Sequence, residues 1–368
     1  MKVMMFTGAV PELRSGVGDY VHEVYKALRG KLDLVLVTSD AVEVKPELFP
    51  EARVYKVART WGAADLPAIA EIIVKEKPDI FHQQYPSLMG GPTNRALLSN
   101  MLPAWLKWKH RGTPLITTLH EFGERRIRWR ARACFNALLS DGIITITSKD
   151  AGILKRWKSN VRRVPLVSNI PRVARPVRAA QERYQVAFFG LLDPMKGLER
   201  FIEIAGILGA ERYRFTILGG FDADSNPYHA GLLDLLRRAD LEGAFMFAGH
   251  APRAEVARVL AESDCCLLPF EEGVSERRTS LLAALMQGTP VVSTDGPYTP
   301  EDYRGIAGLA LLPPRDAHGM AAKVAELCAR GVRPNEFDTL VRGISHDALG
   351  QGHLDAYREA LARKGMGA

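Results

Sequence analysis

At 368 residues the chain exceeds one ordinary α/β domain and suits two, since domains cluster near ~100–150 residues and larger cores split. Hydrophobic residues at 47% and charged residues at 25% exclude a disordered chain and a membrane-embedded one. The net charge of +7 is unevenly placed, with +10 in residues 1–170 and −3 in the remainder, so the first half is expected to meet an acidic partner: a lipid surface, a phosphorylated acceptor or nucleic acid.

The opening MKVMMFTGAV has a short apolar run that meets glycine within a few residues, too short for a secretory signal or a spanning helix, and a cytoplasmic protein is expected. The run reads instead as a buried strand feeding an amphipathic helix over Asp19 to Leu28. Between them lies Ser15-Gly16-Val17-Gly18-Asp19-Tyr20, where Gly16 and Gly18 let a backbone approach a ligand at a helix N-terminus or simply make a tight turn.

Further strands are predicted at Leu32 to Ser39, Asp79 to His82, Pro114 to Leu119 and Gly142 to Thr147, with helices around Leu66 to Glu76 and Leu97 to His110. The alternation implies a mostly parallel sheet covered on both faces. His120 and Glu121 follow one strand at its carboxyl end, where a histidine beside a carboxylate can orient a hydroxyl or move a proton, or serve only structure. Trp105, Lys107, Trp108, Lys109, His110 and Arg111, then Arg125, Arg126, Arg128, Trp129, Arg130 and Arg132, make a basic and aromatic region. It reads equally as an anionic-membrane contact and as a solvated face with one tryptophan packed inward.

After Pro165 a proline-rich, weakly periodic stretch marks a boundary near residue 170, and a second βα series begins at Gln185 with QVAFFGLL, FTILGG, AFMFAGH, CCLLPF and TPVVST. Two doubly wound halves, 1–170 and 171–352, predict a shared cleft at the carboxyl ends of both sheets, and a final amphipathic helix is expected over His353 to Lys364. Lys196, in Leu191-Leu192-Asp193-Pro194-Met195-Lys196-Gly197, stands at a helix start as a phosphate-binding cation or a solvated lysine. Arg277 and Arg278 precede a helix opening at Thr279 or Ser280, the end that prefers anions, which suggests that something negative binds there. The four cysteines have neither CxxC spacing nor a histidine cluster and read as reduced core thiols.

The order and spacing of GVGDY, TLHEF, FGLLDPMKG, KGLERFIE and SERRTSLLAALMQGTPVV resemble the retaining glycosyltransferases of family four, glycosyl transferases group 1, whose fold is GT-B: two Rossmann-like α/β domains. The resemblance implies a hexose-type sugar moved with retention, and without a required metal, from a nucleoside-diphosphate sugar held by the second domain. The acceptor, a glycan, a lipid-linked sugar or a small molecule, would be held by the first, with the final helix crossing back to it. It assigns Gly16 to the loop near the diphosphate or acceptor, His120 to the cleft near the transferred sugar, Lys196 to the phosphates, and the Thr279 and Ser280 amides to the diphosphate, with Gly18, Glu121 and Glu272 as further cleft residues. No cofactor is expected beyond the nucleotide sugar, with UDP or GDP favoured, and no nucleic acid; a position peripheral to the inner membrane face is compatible.

Two departures from the family pattern stand out. Leu191 occupies the usual arginine position, and Ser275 and Ala283 occupy those of two glutamates eight residues apart, which Glu271 and Glu272 cannot restore because Thr279 and Ser280 lie eight residues on. The segment is similar to a branch of the family reading SxRRxSL, so Arg277 or Arg278 is expected to replace the missing cation and Ser275 to face the sugar; the replacement at Ala283 stays open. Two other readings remain, a catalytically silent sugar-nucleotide-binding or regulatory subunit and a dinucleotide-dependent oxidoreductase, although no complete GxGxxG followed by an acidic residue is present.

Overall fold

The computed structural model describes all residues except 14, 60, 62, 87–96, 124–126, 176–182, 334–335 and 366–368, together with the side chains of 97–100 and 127–129. The chain forms two compact units, Met1–Val167 with Ile344–Ala368, and Ser168–Gly343. The division falls at Val167/Ser168, close to the expected 170; the final helix belongs to the first unit, as expected, and the nine residues before its expected start, 344–352, join it there instead of the second unit.

Unit 1 has seven strands, β1 (Lys2–Phe6), β2 (Asp33–Ser39), β3 (Arg53–Ala58), β4 (Ile80–Tyr85), β5 (Leu115–Leu119), β6 (Gly142–Thr145) and β7 (Val161–Arg163). Its helices are α1 (Gly16–Leu28), α2 (Leu66–Glu76), α3 (Leu97–Lys109), α4 (Ile127–Leu139) and α5 (Ser148–Lys155). All strand pairs are parallel, in the order β3-β2-β1-β4-β5-β6-β7, so strand order reverses between β1 and β4. Strands covered on both faces need apolar residues throughout, and Val3, Met4, Met5 and Phe6 of β1 are all at most 1% exposed. Helix α1 starts at Gly16, earlier than the apolar periodicity indicates, because the Ser15 side chain caps it, its Oγ accepting from the Gly18 N–H at 3.1 Å.

Unit 2 contains β8 (Tyr184–Phe189), β9 (Tyr213–Leu218), β10 (Phe245–Gly249), β11 (Cys265–Leu268), β12 (Val291–Thr294) and β13 (Leu309–Leu312). Around them lie α6 (Leu198–Leu208), α7 (Pro227–Arg238), α8 (Arg253–Glu262), α9 (Thr279–Met286), α10 (Ala317–Arg330) and α11 (Asp338–Gly343). The sheet is parallel in the order β10-β9-β8-β11-β12-β13, reversing between β8 and β11. Cys265, Cys266 and Cys328 are buried free thiols in its core.

The last helix, α12 (His346–Arg363), begins seven residues before the expected His353, capped by Ser345. Gly350 and Gly352 dilute its helical signal, and each answers a packing demand: a Cβ would stand 2.6 Å from the Ala27 carbonyl oxygen at Gly350 and 2.9 Å from Val164 at Gly352. These glycines let α12 lie close on α1 and β7. No described helix is long and apolar enough to cross a membrane.

Candidate functional site

In unit 2, the β8/β11 switch point places the loops after both strands side by side. This is where open parallel sheets bind ligands, since the helices that follow the two strands leave in opposite directions. After β8 the chain turns through Gly190 (φ 153°), and the Asp193 carboxylate then accepts from the Met195 N–H at 2.9 Å, holding the short turn that carries Lys196. The turn docks on the β11 loop through a Glu271 N–H to Met195 carbonyl bond of 3.3 Å. The β11 loop is fixed in turn to the loop after β12, where a Cβ on Gly296 would come within 2.1 Å of the Glu272 carbonyl oxygen.

Two cations meet on this platform. Lys196 Nζ lies 5.5 Å from the Phe270 ring centre and the Arg278 guanidinium carbon 4.7 Å from it. Burial lowers the Lys196 pKa, and the neighbouring Arg278 charge lowers it further. Glu272, 61% exposed at its side chain, approaches Arg278 only to 3.6 Å. The Arg278 side chain itself is 18% exposed, so two positive groups are held close together and partly out of water. An anion bound between them relieves that repulsion. Helix α9 adds to the attraction: it has no side-chain cap and no acidic residue in its first turn, so nothing in its own sequence offsets the positive end of its dipole. Its start adjoins the end of β8, a Cβ on Gly190 lying 3.9 Å from the Ser280 Cβ.

Arg277 is placed differently, its guanidinium 5.6 Å from the Tyr298 ring centre, so it is Arg278 that joins Lys196. Thr279 is exposed and Ser280 is 8% exposed at the helix start. Ser275 is buried at 4% exposure with its Oγ 3.4 Å from the Arg277 N–H, Ala283 is fully buried, and Leu191 is 64% exposed. Phe270, the ring that gathers the cations, carried no signal in the sequence beyond its place at a strand end.

In unit 1, His120 follows β5 and is 6% exposed, its backbone N–H bonded to the Tyr85 carbonyl at 2.8 Å. Its Nε2 lies 2.8 Å from Gln84 Oε1 and its ring packs edge-on to Tyr20 at 4.9 Å. Behind it is a polar network that sequence reasoning missed. Gln84 Nε2 is 3.2 Å from His82 Nε2, which lies 2.8 Å from Thr118 Oγ1, and His82 Nδ1 is 2.7 Å from the Tyr357 hydroxyl. His353 Nδ1 lies 2.8 Å from the Leu349 carbonyl, an acceptor only, so this nitrogen carries the proton. The other nitrogen then accepts from the Tyr20 hydroxyl at 3.2 Å. Burial pushes the His353 pKa down to about 4 and holds His82 well below the ordinary value, while it raises Tyr20 and Tyr357. Both histidines are therefore neutral at pH 7 and act as fixed hydrogen-bonding groups behind His120.

Glu121 is half-buried next to His120. Of the two loop glycines, Gly18 meets a steric demand, since a Cβ there would stand 2.3 Å from the Val10 carbonyl oxygen, whereas a Cβ on Gly16 meets nothing within 4 Å. Arg125 and Arg126, and the side chains of Arg128 and Trp129, lie outside the described residues. No group of three or more His, Cys, Asp or Glu among the described residues is arranged to hold a metal ion.

Residues 183–330, most of unit 2, match the family glycosyl transferases group 1. Over 158 residues the chain is 31% identical to the putative colanic acid biosynthesis glycosyltransferase WcaL of Salmonella typhimurium, an alignment covering 41% of this chain and 38% of WcaL. The matched stretch is thus well under half of that relative's length. Among solved structures, sucrose-phosphate synthase from Thermosynechococcus elongatus superposes with a TM-score of 0.75 at 17% identity, covering 99% of this chain and 100% of the other. HepE from Anabaena, solved in complex with UDP-glucose, superposes with a TM-score of 0.69 at 13% identity over 99% and 100% of the two chains. The fold is GT-B, as the resemblance implied.

Proposed function

We propose that this chain is a glycosyltransferase that moves a hexose from a nucleoside-diphosphate sugar, a UDP-hexose in the first instance, to a glycan or lipid-linked acceptor with retention of configuration. Unit 2 binds the donor; unit 1 binds the acceptor and contributes His120. The observation that carries this reading is the pairing of Lys196 with Arg278 on Phe270 beside the uncapped start of α9. When the bond between sugar and diphosphate breaks, negative charge grows on the leaving phosphate, and fixed cations and N–H donors in a partly buried site stabilise it without reorganising. Arg278 takes the part of the arginine absent at Leu191, and no metal is required. The UDP-glucose bound to HepE favours uridine, and the name of WcaL favours a polysaccharide acceptor.

A second reading has one specific feature in its favour. Ser275 and Ala283, where the family pattern has glutamates, are 4% and 0% exposed, which suits a unit that binds a sugar nucleotide without transferring it. Incubation with UDP-glucose, UDP-galactose or GDP-mannose, with chelator present, separates the two by NMR. Release of nucleoside diphosphate with an α-configured product from an α-donor supports transfer. Binding of all donors with no turnover supports the silent subunit, and binding of none removes the nucleotide-sugar reading altogether.

A further inference from the structure

Helices α3 and α4 of unit 1 pack on each other, yet each leaves an apolar strip uncovered. On α3, Met101 and Trp108 are 53% and 64% exposed two turns apart, while Trp105 between them packs inward against the core and His110. On α4, Phe135 and Leu138 are 44% and 64% exposed, one turn apart and therefore on one face. Large side chains gathered in this way on a soluble surface mark a contact that the chain does not itself supply.

Cations gather at one end of the strips. At the amino edge of β5, β6 and β7, Lys107, Lys158, Arg363 and Lys364 line a pocket of about 670 Å³ together with Leu138 and a single carboxylate, Asp141. Lys107 and Lys364 share that carboxylate at 2.5 and 3.6 Å. Lys158 donates to the Ser140 and Leu138 carbonyls and Arg363 to Ser159 Oγ, all neutral acceptors, so the pocket keeps a positive excess. Burial lowers the Lys158 pKa; the Asp141 carboxylate opposes the fall, and Lys107 and Arg363 nearby add to it. An anionic group in the pocket offsets this excess, and the apolar strip beside it asks for a partner that is both negative and oily. A membrane with phosphate headgroups over acyl chains has that pairing, with tryptophan favoured at the boundary.

We propose that the α3–α4 face is the surface by which this protein docks on an anionic lipid membrane, with a lipid phosphate seated among Lys107, Lys158, Arg363 and Lys364 and with Trp108 and Leu138 entering the interface. Flotation of the full chain with phosphatidylcholine vesicles, with and without roughly one-third phosphatidylglycerol, tests this directly. The parent should float with the anionic vesicles, release as salt is raised, and lose about tenfold in affinity in the double variants Arg363→Glu/Lys364→Glu and Trp108→Ser/Leu138→Ser. These side chains are surface-exposed, and thermal unfolding checks that both variants keep the parent's stability. Brominated lipids should quench the parent's fluorescence more than that of Trp108→Ser. Equal flotation with neutral and anionic vesicles, or variants that float like the parent, overturns the proposal. So does a self-associated parent that Trp108→Ser turns monomeric without any lipid binding, or stabilisation by inorganic phosphate alone.

Discussion

Gly197 and Pro269 lie closer than any side chain would permit: a Cβ on Gly197 would stand 1.9 Å from the Pro269 carbonyl oxygen, and its φ of 71° is one that other residues resist. The contact locks the Lys196 turn to the end of β11. Gly197→Ala should cost roughly 2–5 kcal/mol in urea unfolding and weaken nucleoside diphosphate binding by displacing Lys196. A variant with parental stability and affinity would show that the Lys196 turn tolerates a shift there.

Lys196→Ala and Arg278→Ala should each weaken UDP binding by about 10- to 150-fold in titration calorimetry, as expected for charge-assisted phosphate contacts of roughly 1.5–3 kcal/mol. Arg277→Ala should do less, because that guanidinium packs on Tyr298, away from Phe270. Parental affinity in both Lys196→Ala and Arg278→Ala would displace the phosphate site.

His120→Ala should lower turnover by two or more orders of magnitude, in the range of general acid–base or transition-state contacts, while UDP affinity stays within about twofold. The donor groups named above all belong to unit 2, whereas His120 belongs to unit 1. Full turnover in His120→Ala would reduce this side chain to a structural one.

Acid should destabilise unit 1 through His353. Its folded pKa is depressed to about 4 from 6.5, so between those values the unfolded chain binds a proton that the folded one refuses. The stability is full above about pH 6.5 and is lost as pH falls toward 4, by on the order of 3 kcal/mol. His82 acts in the same direction, and Glu23, whose pKa is lowered, adds a loss at lower pH. Urea unfolding of the parent and His353→Gln across pH 7.5 to 4.5 measures the difference in slope. Identical slopes would remove His353 as the cause.

The two-sheet plan was legible because buried parallel strands read as short apolar runs between helices, and the Lys196 and Arg278 loops follow two of them. Strand β4 was only partly legible: its sequence IFHQQY turns polar at His82, yet all six residues are buried, because Tyr357 of α12 and Thr118 of β5 partner His82 and His120 partners Gln84. Such partners are distant in the chain, so no local pattern announces them. The same holds for Gly18, whose neighbour Gly16 looks alike in sequence while only Gly18 faces a carbonyl. On α3, Trp105 and Trp108 stand three residues apart on adjoining positions of one face, yet the first packs on the core and the second is exposed, a difference that neighbouring elements set and periodicity does not.

The return of Ile344–Ala368 to unit 1 has a consequence for the order in which the protein is made. Tyr20 and His82 are synthesised early, but the groups that satisfy them, His353 and Tyr357, follow only after all of Ser168–Gly343. At ribosomal rates of about 5–20 residues per second, that interval lasts on the order of ten to forty seconds. Only at its end does unit 2 have its whole sequence, while throughout it unit 1 waits with Tyr20 and His82 short of a partner and the seat of α12 open. The nascent first half is therefore a stage at which a chaperone has something to cover.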